Sequence, residues 1–183
     1  EFVAARDEAA ALALIADADA LIGFCEPDIV AAGKRLRWIQ LFTAGAGPCS
    51  EIPEVGKRGI VVTNMQRISG PEIAEHSLAM LLAFTRGLHA WLPQQREARW
   101  DQSVFRAKSL WELQGRTMLV VGLGGIGTEL AERASGLGMR VIATRASAAE
   151  KPPFVDYVGK PDELLKLAGQ ADVVVNCTPL LPS

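Results

Sequence analysis

The sequence has few of the residues that metal sites and nucleic-acid-binding domains require. Its two histidines, His76 and His89, do not stand at the spacing of metal ligands. The 19 basic residues are matched by 21 acidic ones, so no excess of positive charge would attract nucleic acid or an anionic membrane. Apolar runs are short and interrupted by charge or glycine, unlike a transmembrane helix. The sequence therefore predicts no metal, no nucleic acid and no membrane as a partner.

Cysteine is scarce as well. Cys25, Cys49 and Cys177 are odd in number, far apart and without a CxxC pair, which predicts neither a disulfide framework nor a zinc site. The first ten residues, EFVAARDEAA, have no basic segment ahead of an apolar stretch and are not expected to form a signal peptide. The expected location is the cytoplasm.

Apolar residues, by contrast, are abundant at 49% of the chain. Short runs such as ALIGF, RWIQLF, GIVVTN and TMLVVG predict strands, EFVAA predicts a further strand fragment, and a helix is predicted to begin after the N-cap Asp7. Strands that alternate with helices are typical of parallel sheets with crossover connections. The predicted class is α/β, with two Rossmann-like parallel-sheet domains.

The two predicted domains are residues 1–93 and residues 94–183. A long helix starting at GPEIAEHS ends the first domain, with a kink expected near Pro93. Both domains have fewer strands than the roughly six of a full doubly wound domain. We therefore interpret both as incomplete and the chain as a fragment of a longer protein.

A GxGxxG motif, Gly122-Leu123-Gly124-Gly125-Ile126-Gly127, lies between an apolar strand and a helix. This is the context of a dinucleotide-binding fingerprint. The first glycine permits a tight turn, the second lets the backbone approach the pyrophosphate, and the third lets helix and strand pack closely. The helix N-terminus adds free N–H groups and partial positive charge. A glycine turn in an unrelated α/β protein is the competing interpretation.

The next strand ends in Thr144-Arg145-Ala146-Ser147. NAD sites place an Asp or Glu about 20 residues after the first glycine, on the ribose 2′-hydroxyl. Thr144 stands at that distance (144 − 122 = 22), and no acid follows it. Thr144, Arg145 and Ser147 offer donors that suit a 2′-phosphate, which predicts NADP(H) in preference to NAD(H). The alternative is that Arg145 points to solvent and stacks on adenine.

Two further segments follow strand ends, where ligands of such sheets bind. Cys177, Thr178 and Pro179 end the strand DVVVN and are predicted to face the cofactor, unless they form an ordinary turn. Ala44, Gly45 and Ala46 could expose backbone N–H groups to a carboxylate, although their spacing alone favours an ordinary loop. No catalytic residue is assigned, because Glu75 and His76 are adjacent on a helix and do not share a face.

The order of these segments resembles one known family. A TAGAG loop is followed by GIVVTN, GPEIAEHSLAMLLAFTRGL, Trp100, ELQGRTMLVVGLGGIG and NCTPL. This combination covers nearly the whole chain and is similar to the D-isomer-specific 2-hydroxyacid dehydrogenases, among them glyoxylate/hydroxypyruvate reductases. The resemblance implies a substrate domain, without its first strand here, and an inserted dinucleotide domain. It also implies hydride transfer between a nicotinamide cofactor and a 2-keto or D-2-hydroxy acid.

The resemblance assigns roles to the segments already described. It implies that the backbone of Ala44, Gly45 and Ala46 binds the substrate carboxylate, and that the glycine motif and the CTP segment contact the cofactor. The family's catalytic arginine, glutamate and histidine follow the NCTPL segment, so we expect them beyond residue 183. A homodimer is expected. One alternative is a non-catalytic, corepressor-like dinucleotide-binding member of the same family. Another is an enzyme of this family that acts on formate or phosphoglycerate instead.

Overall fold

The computed structural model describes residues 1–103, 110–147 and 150–179. The chain divides into two compact units, Glu1–Ile68 and Ser69–Ser183. Each unit is built on a parallel sheet, of three strands in the first and four in the second. This confirms the predicted α/β class with two Rossmann-like parallel sheets.

The first unit alternates short helices with the strands β1, β2 and β3, which pair side by side in that order and all run parallel. Its elements are α1 (Glu8–Leu14), a 3₁₀ turn (Ile15–Asp17), β1 (Ala20–Gly23), α2 (Pro27–Ala32), β2 (Trp38–Leu41), α3 (Gly47–Ser50), α4 (Pro53–Lys57) and β3 (Val61–Thr63). Helix α1 begins as predicted, because the Asp7 carboxylate accepts the Ala10 N–H at 2.8 Å. Val30, Ile39 and Cys49 are fully buried in its core.

Two predictions for this unit are wrong. Residues 1–5 form no strand and are exposed, since a strand needs a neighbour to satisfy its backbone groups. Cys25 and Cys49, expected as free thiols, form a disulfide with their Cα atoms 5.3 Å apart. Cys25 follows β1 and Cys49 lies in α3 after β2, and adjacent parallel strands bring these segments together. Separation along the chain does not reveal that closeness.

The second unit has its strands in the order β6-β5-β4-β7, all parallel. Its elements are α5 (Gly70–Thr85), α6 (Leu88–Arg96), β4 (Thr117–Val121), α7 (Gly125–Gly136), β5 (Arg140–Thr144), β6 (Tyr157–Gly159), a 3₁₀ turn (Pro161–Glu163), α8 (Leu164–Ala168) and β7 (Val173–Asn176). The central strands β4 and β5 are apolar on both faces and almost fully buried, as expected for a sheet covered by helices.

The long predicted helix breaks at a different place from the one expected. Helix α5 ends before Gly87, whose φ of 70° lies in the left-handed region, and α6 begins directly after it. Pro93 lies within α6 without ending it. Ala74 and Leu78 of α5 share a buried cluster with Leu130 of α7. The long helix is therefore part of the second compact unit, and the domain boundary at residue 93 stays a prediction about the whole protein.

Candidate functional site

The glycine motif forms a tight turn at the carboxyl ends of β4 and β5. Gly122 has a φ of 95°, which glycine adopts without strain. The N–H groups of Gly122 and Leu123 both donate to the Thr144 carbonyl oxygen at 3.1 Å. The turn is thus tied to the end of the neighbouring strand, and α7 begins at Gly125.

The three fingerprint glycines differ in the space around them. A Cβ on Gly127 would overlap the Gly122 carbonyl oxygen and lie 3.0 Å from Val120 Cγ1, so this glycine lets helix and strand approach. At Gly124, no described heavy atom lies within 4 Å of the position that a Cβ would take. Open space beside backbone at the start of a helix suits a pyrophosphate. The residues present therefore fit a dinucleotide.

Arg145 lies at the mouth of this turn. Its Nε and Nη2 donate to the Leu123 carbonyl oxygen at 2.9 and 2.5 Å. Thr144 is buried, and its carbonyl holds the turn, whereas Ser147 is exposed. The structure thus brings Arg145 to the glycine turn and gives Thr144 a structural contact that the sequence did not indicate.

The segment after β7 lies beside the glycine turn. A Cβ on Gly122 would come within 3.0 Å of Thr178 Cγ2 and 3.1 Å of the Cys177 carbonyl carbon. The Thr178 N–H and hydroxyl both donate to Asn176 Oδ1, at 3.0 and 2.7 Å. Burial raises the pKa of the Cys177 thiol, which favours its neutral form. The predicted cofactor contacts at Cys177, Thr178 and Pro179 therefore follow a strand that ends next to the predicted pyrophosphate loop.

In the first unit, Ala44, Gly45 and Ala46 form the loop between β2 and α3. None of their three N–H groups donates to another described residue. Ala44 and Gly45 are exposed, and no described heavy atom lies within 4 Å of where a Cβ on Gly45 would be. Consecutive free N–H groups of this kind can bind an anion such as a carboxylate.

The carbonyl groups of the same loop are fixed by side chains that the sequence analysis did not single out. Asn64 Nδ2 donates to the Ala44 carbonyl oxygen at 2.8 Å, and the Thr43 hydroxyl donates to that of Gly45 at 2.8 Å. The Met65 N–H donates to the Thr43 carbonyl oxygen at 3.0 Å. The sequence feature that could have indicated this contact is the polar residue Asn64, which directly follows strand β3 at the same edge of the sheet.

Glu75 of α5 and His89 of α6 each contact a residue other than the other one. Glu75 lies 3.7 Å from Arg133 in an ion pair, and His89 stacks on Phe84 with the ring centroids 5.6 Å apart. Across residues 1–103, 110–147 and 150–179, no three His, Cys, Asp or Glu side chains come together as a metal site. Nor does any helix within these ranges have the length and apolar character to cross a bilayer.

Comparison with known proteins assigns the chain to a family. A family model described as "D-isomer specific 2-hydroxyacid dehydrogenase, NAD binding domain" matches residues 78–183. The chain belongs to the D-isomer-specific 2-hydroxyacid dehydrogenase family. This confirms the resemblance seen in the sequence, and it supports a nicotinamide cofactor for the glycine turn.

Individual relatives agree with that assignment. The chain is 32% identical over 157 residues to a hydroxypyruvate reductase of Thermotoga maritima, covering 85% of this chain and 48% of the relative. It is 31% identical over 178 residues to a glyoxylate reductase of Pyrococcus furiosus, with 91% and 51% covered. The chain thus spans about half the length of these curated relatives.

A solved structure of a family protein from Aeromonas salmonicida superposes with a TM-score of 0.81 at 28% identity. The superposition covers 97% of this chain and 55% of that one. Both parallel-sheet units therefore have counterparts in a solved member of the D-isomer-specific 2-hydroxyacid dehydrogenase family.

Proposed function

We propose that the full-length protein transfers a hydride between NADPH and a 2-keto acid of the glyoxylate or hydroxypyruvate type, in the reversible reaction that gives a D-2-hydroxy acid. The observation that carries this proposal is the glycine turn of a 2-hydroxyacid dehydrogenase with open space at Gly124. The two named reductases that the chain resembles support the substrate type.

In this proposal each unit contributes one binding loop. The free N–H groups of Ala44, Gly45 and Ala46 bind the substrate carboxylate, and Asn64 and Thr43 keep the loop carbonyls turned away from it. The turn from Gly122 to Gly127 binds the pyrophosphate of the cofactor, which supplies the hydride when bound. No residue for proton transfer is assigned within the described residues.

The preference for NADPH rests on the end of β5. Thr144, Arg145 and Ser147 include no carboxylate that would accept the ribose 2′-hydroxyl and repel a phosphate. Arg145 already spans the mouth of the glycine turn through its contact with Leu123, and Ser147 is exposed beside it. A guanidinium in that position suits a 2′-phosphate.

The preference is tested with kcat/KM of the full-length enzyme for NADPH and NADH, with glyoxylate as substrate. Arg145→Ala should raise KM for NADPH roughly 10- to 150-fold, the equivalent of a hydrogen bond to a charged group, and leave KM for NADH nearly unchanged. Arg140→Ala is a matched control, because Arg140 lies at the opposite end of the same strand. Equal kcat/KM for both cofactors in the wild type would overturn the preference.

The substrate type is tested with a panel of glyoxylate, hydroxypyruvate, pyruvate and phenylpyruvate. We expect the highest kcat/KM with glyoxylate or hydroxypyruvate, because these are the substrates that name the relatives. Tight binding of NADPH without turnover of any of the four would instead support a non-catalytic, corepressor-like role.

We further propose that the protein is a homodimer. Helices α5 and α6 expose large apolar side chains that recur at helical spacing, which a second copy of the chain would cover. They are Ile73, Met80, Phe84, Leu88 and Leu92. Light scattering of the full-length protein at micromolar concentration should give the mass of two chains, and a monomer mass would contradict this.

The cytoplasm stays the predicted location, but the cysteine count no longer supports it, because Cys25 and Cys49 are joined. Disulfides are typical of oxidising compartments. Fractionation of the native cells, followed by thiol labelling of the protein, tests the location and the state of this pair together.

A further inference from the structure

A second cation follows the strand next to Arg145. Strands β5 and β6 pair so that Thr144 is opposite Gly159, and the Arg145 N–H donates to the Gly159 carbonyl oxygen at 3.0 Å. Lys160 is the next residue and is exposed. Because the strands are parallel, Arg145 and Lys160 leave the sheet at the same edge, side by side.

An acidic residue near Lys160, Glu163, is held by other groups. Glu163 accepts the Tyr157 hydroxyl at 2.6 Å with one carboxylate oxygen and the Lys160 backbone N–H at 3.3 Å with the other. No carboxylate among the described residues comes within ion-pairing distance of the Lys160 ammonium. Its charge still acts on Glu163, whose pKa is lowered mainly by the hydrogen bond from the Tyr157 hydroxyl and in smaller part by the positive charge of Lys160. The ammonium itself has no ion-pair partner among the described residues, so it can bind a further anion.

The other lysines of this region are placed differently. Lys151 Nζ donates to the Val155 carbonyl oxygen at 2.5 Å, which holds its ammonium beside that residue. Lys166 lies in the middle of α8 rather than at a strand end. Lys160 is therefore the lysine that the fold brings next to Arg145.

In dinucleotide sites the ribose hydroxyls lie at the end of the strand that follows the glycine-loop helix, which is β5 here. A phosphate on the 2′-oxygen would carry close to two negative charges at neutral pH. We propose that Lys160 is a specificity-determining residue that binds the 2′-phosphate of NADPH together with Arg145. This inference rests on the proposed preference for NADPH.

The test measures binding of 2′,5′-ADP and 5′-AMP to the full-length protein by calorimetry. The two probes differ only in the 2′-phosphate, so 5′-AMP reports folding and adenine binding while 2′,5′-ADP reports the phosphate site. Lys160→Ala should weaken the binding of 2′,5′-ADP about tenfold, the equivalent of one charge-assisted hydrogen bond. The affinity for 5′-AMP should stay unchanged. Lys160→Arg should retain most of the affinity.

Lys166→Ala is the matched control, because it removes the same charge from the same part of the unit and should change neither affinity. If the wild type prefers 2′,5′-ADP but Lys160→Ala binds it as well as the wild type does, the role of Lys160 is overturned while the NADPH preference stands. If Lys160→Ala and Lys166→Ala lose the same affinity for 2′,5′-ADP, the loss is a general effect of charge, and the proposed contact of Lys160 with the phosphate is overturned. A wild type that binds both probes equally overturns the NADPH preference itself, and the Lys160 inference with it.

Discussion

Each of the two units of this protein forms a loop at the carboxyl edge of its parallel sheet, and the two loops are held by different means. The first unit has three short strands, and its loop is held by the side chains of Asn64 and Thr43 beside a disulfide. The second has four strands, two of them buried on both faces, and its loop is shaped by glycines that allow close packing. A small core benefits from a crosslink and hydrogen bonds, whereas a larger core fixes its loop by packing.

The largest effect should come from removing the crosslink of the first unit. The disulfide joins residues 24 positions apart. Removing a crosslink that closes a loop of that size lowers the free energy of unfolding by about 2–4 kcal/mol. The double variant Cys25→Ala, Cys49→Ala should lower the free energy of unfolding of this unit by that amount. Denaturant unfolding followed by Trp38 fluorescence measures it, because Trp38 is the tryptophan of the first unit.

Two controls separate the crosslink from the change in side-chain volume. Reduction of the wild-type protein removes the bond but keeps both cysteines, and it should produce most of the same loss. Cys177→Ala removes the free thiol of the second unit and should leave the Trp38 transition in place. A double variant as stable as Cys177→Ala would show that the first unit does not depend on its crosslink.

The next effect should come from the close approach in the second unit. Gly127→Ala places a methyl group against the Gly122 carbonyl oxygen and Val120, and overpacking of this kind costs about 1–3 kcal/mol. The methyl group of Gly124→Ala would meet no described atom within 4 Å. This variant should lower the free energy of unfolding by less than about 1 kcal/mol.

Cofactor binding should separate these two glycine variants from each other. Gly124→Ala should lose NADPH affinity at least about tenfold, because its methyl group enters the space predicted for the pyrophosphate. Thermal unfolding and NADPH titration of both variants measure the difference. Equal stability in Gly124→Ala and Gly127→Ala would mean that packing at the turn does not shape the loop.

A smaller effect is expected at the loop of the first unit. Asn64→Ala removes the donor to the Ala44 carbonyl oxygen, which should cost about 1 kcal/mol of stability and raise KM for glyoxylate about fivefold. The change should lie mainly in KM, since the loop is proposed to bind the carboxylate of the substrate in the ground state. Gln66→Ala is the control, because Gln66 contacts Asn64 only through its backbone N–H among the described residues. A fall in kcat without a change in KM would contradict a role in binding.

The smallest effect depends on pH and disappears in acidic solution. The Thr117 N–H, assisted by Arg116, holds the pKa of the Asp172 carboxyl below its usual value. Because the folded pKa is the lower one, the ionised group stabilises the fold above the unfolded pKa. That stabilisation is lost as pH falls below about 4 and through the depressed folded pKa.

Asp172→Asn should therefore reduce stability at pH 7 and match the wild type more closely near pH 3. In the first unit, Asp19 forms exposed ion pairs with Arg35 and Arg37, and Asp19→Asn should change little at either pH. Chemical denaturation at the two pH values measures both variants. If the stabilities of Asp172→Asn and Asp19→Asn depend on pH to the same extent, the expected difference between the carboxylates of the two units is wrong.

Local pattern by itself determined much of this protein. Apolar runs with helical segments between them specified parallel sheets, and the GxGxxG motif specified the tight turn between β4 and α7, because both depend on residues close together in the chain. The N-cap at Asp7 was equally local, since its carboxylate bonds a backbone N–H three residues away.

The tertiary structure decided the contacts between distant residues. The Cys25–Cys49 bond, the Asn64 contact with Ala44 and the placement of Lys160 beside Arg145 all depend on which strands become neighbours. The break at Gly87 was decided in the same way, because α5 packs into the core of the second unit while the chain turns at a left-handed glycine. Strand order and register bring such residues together, and neither follows from the spacing of residues along the chain.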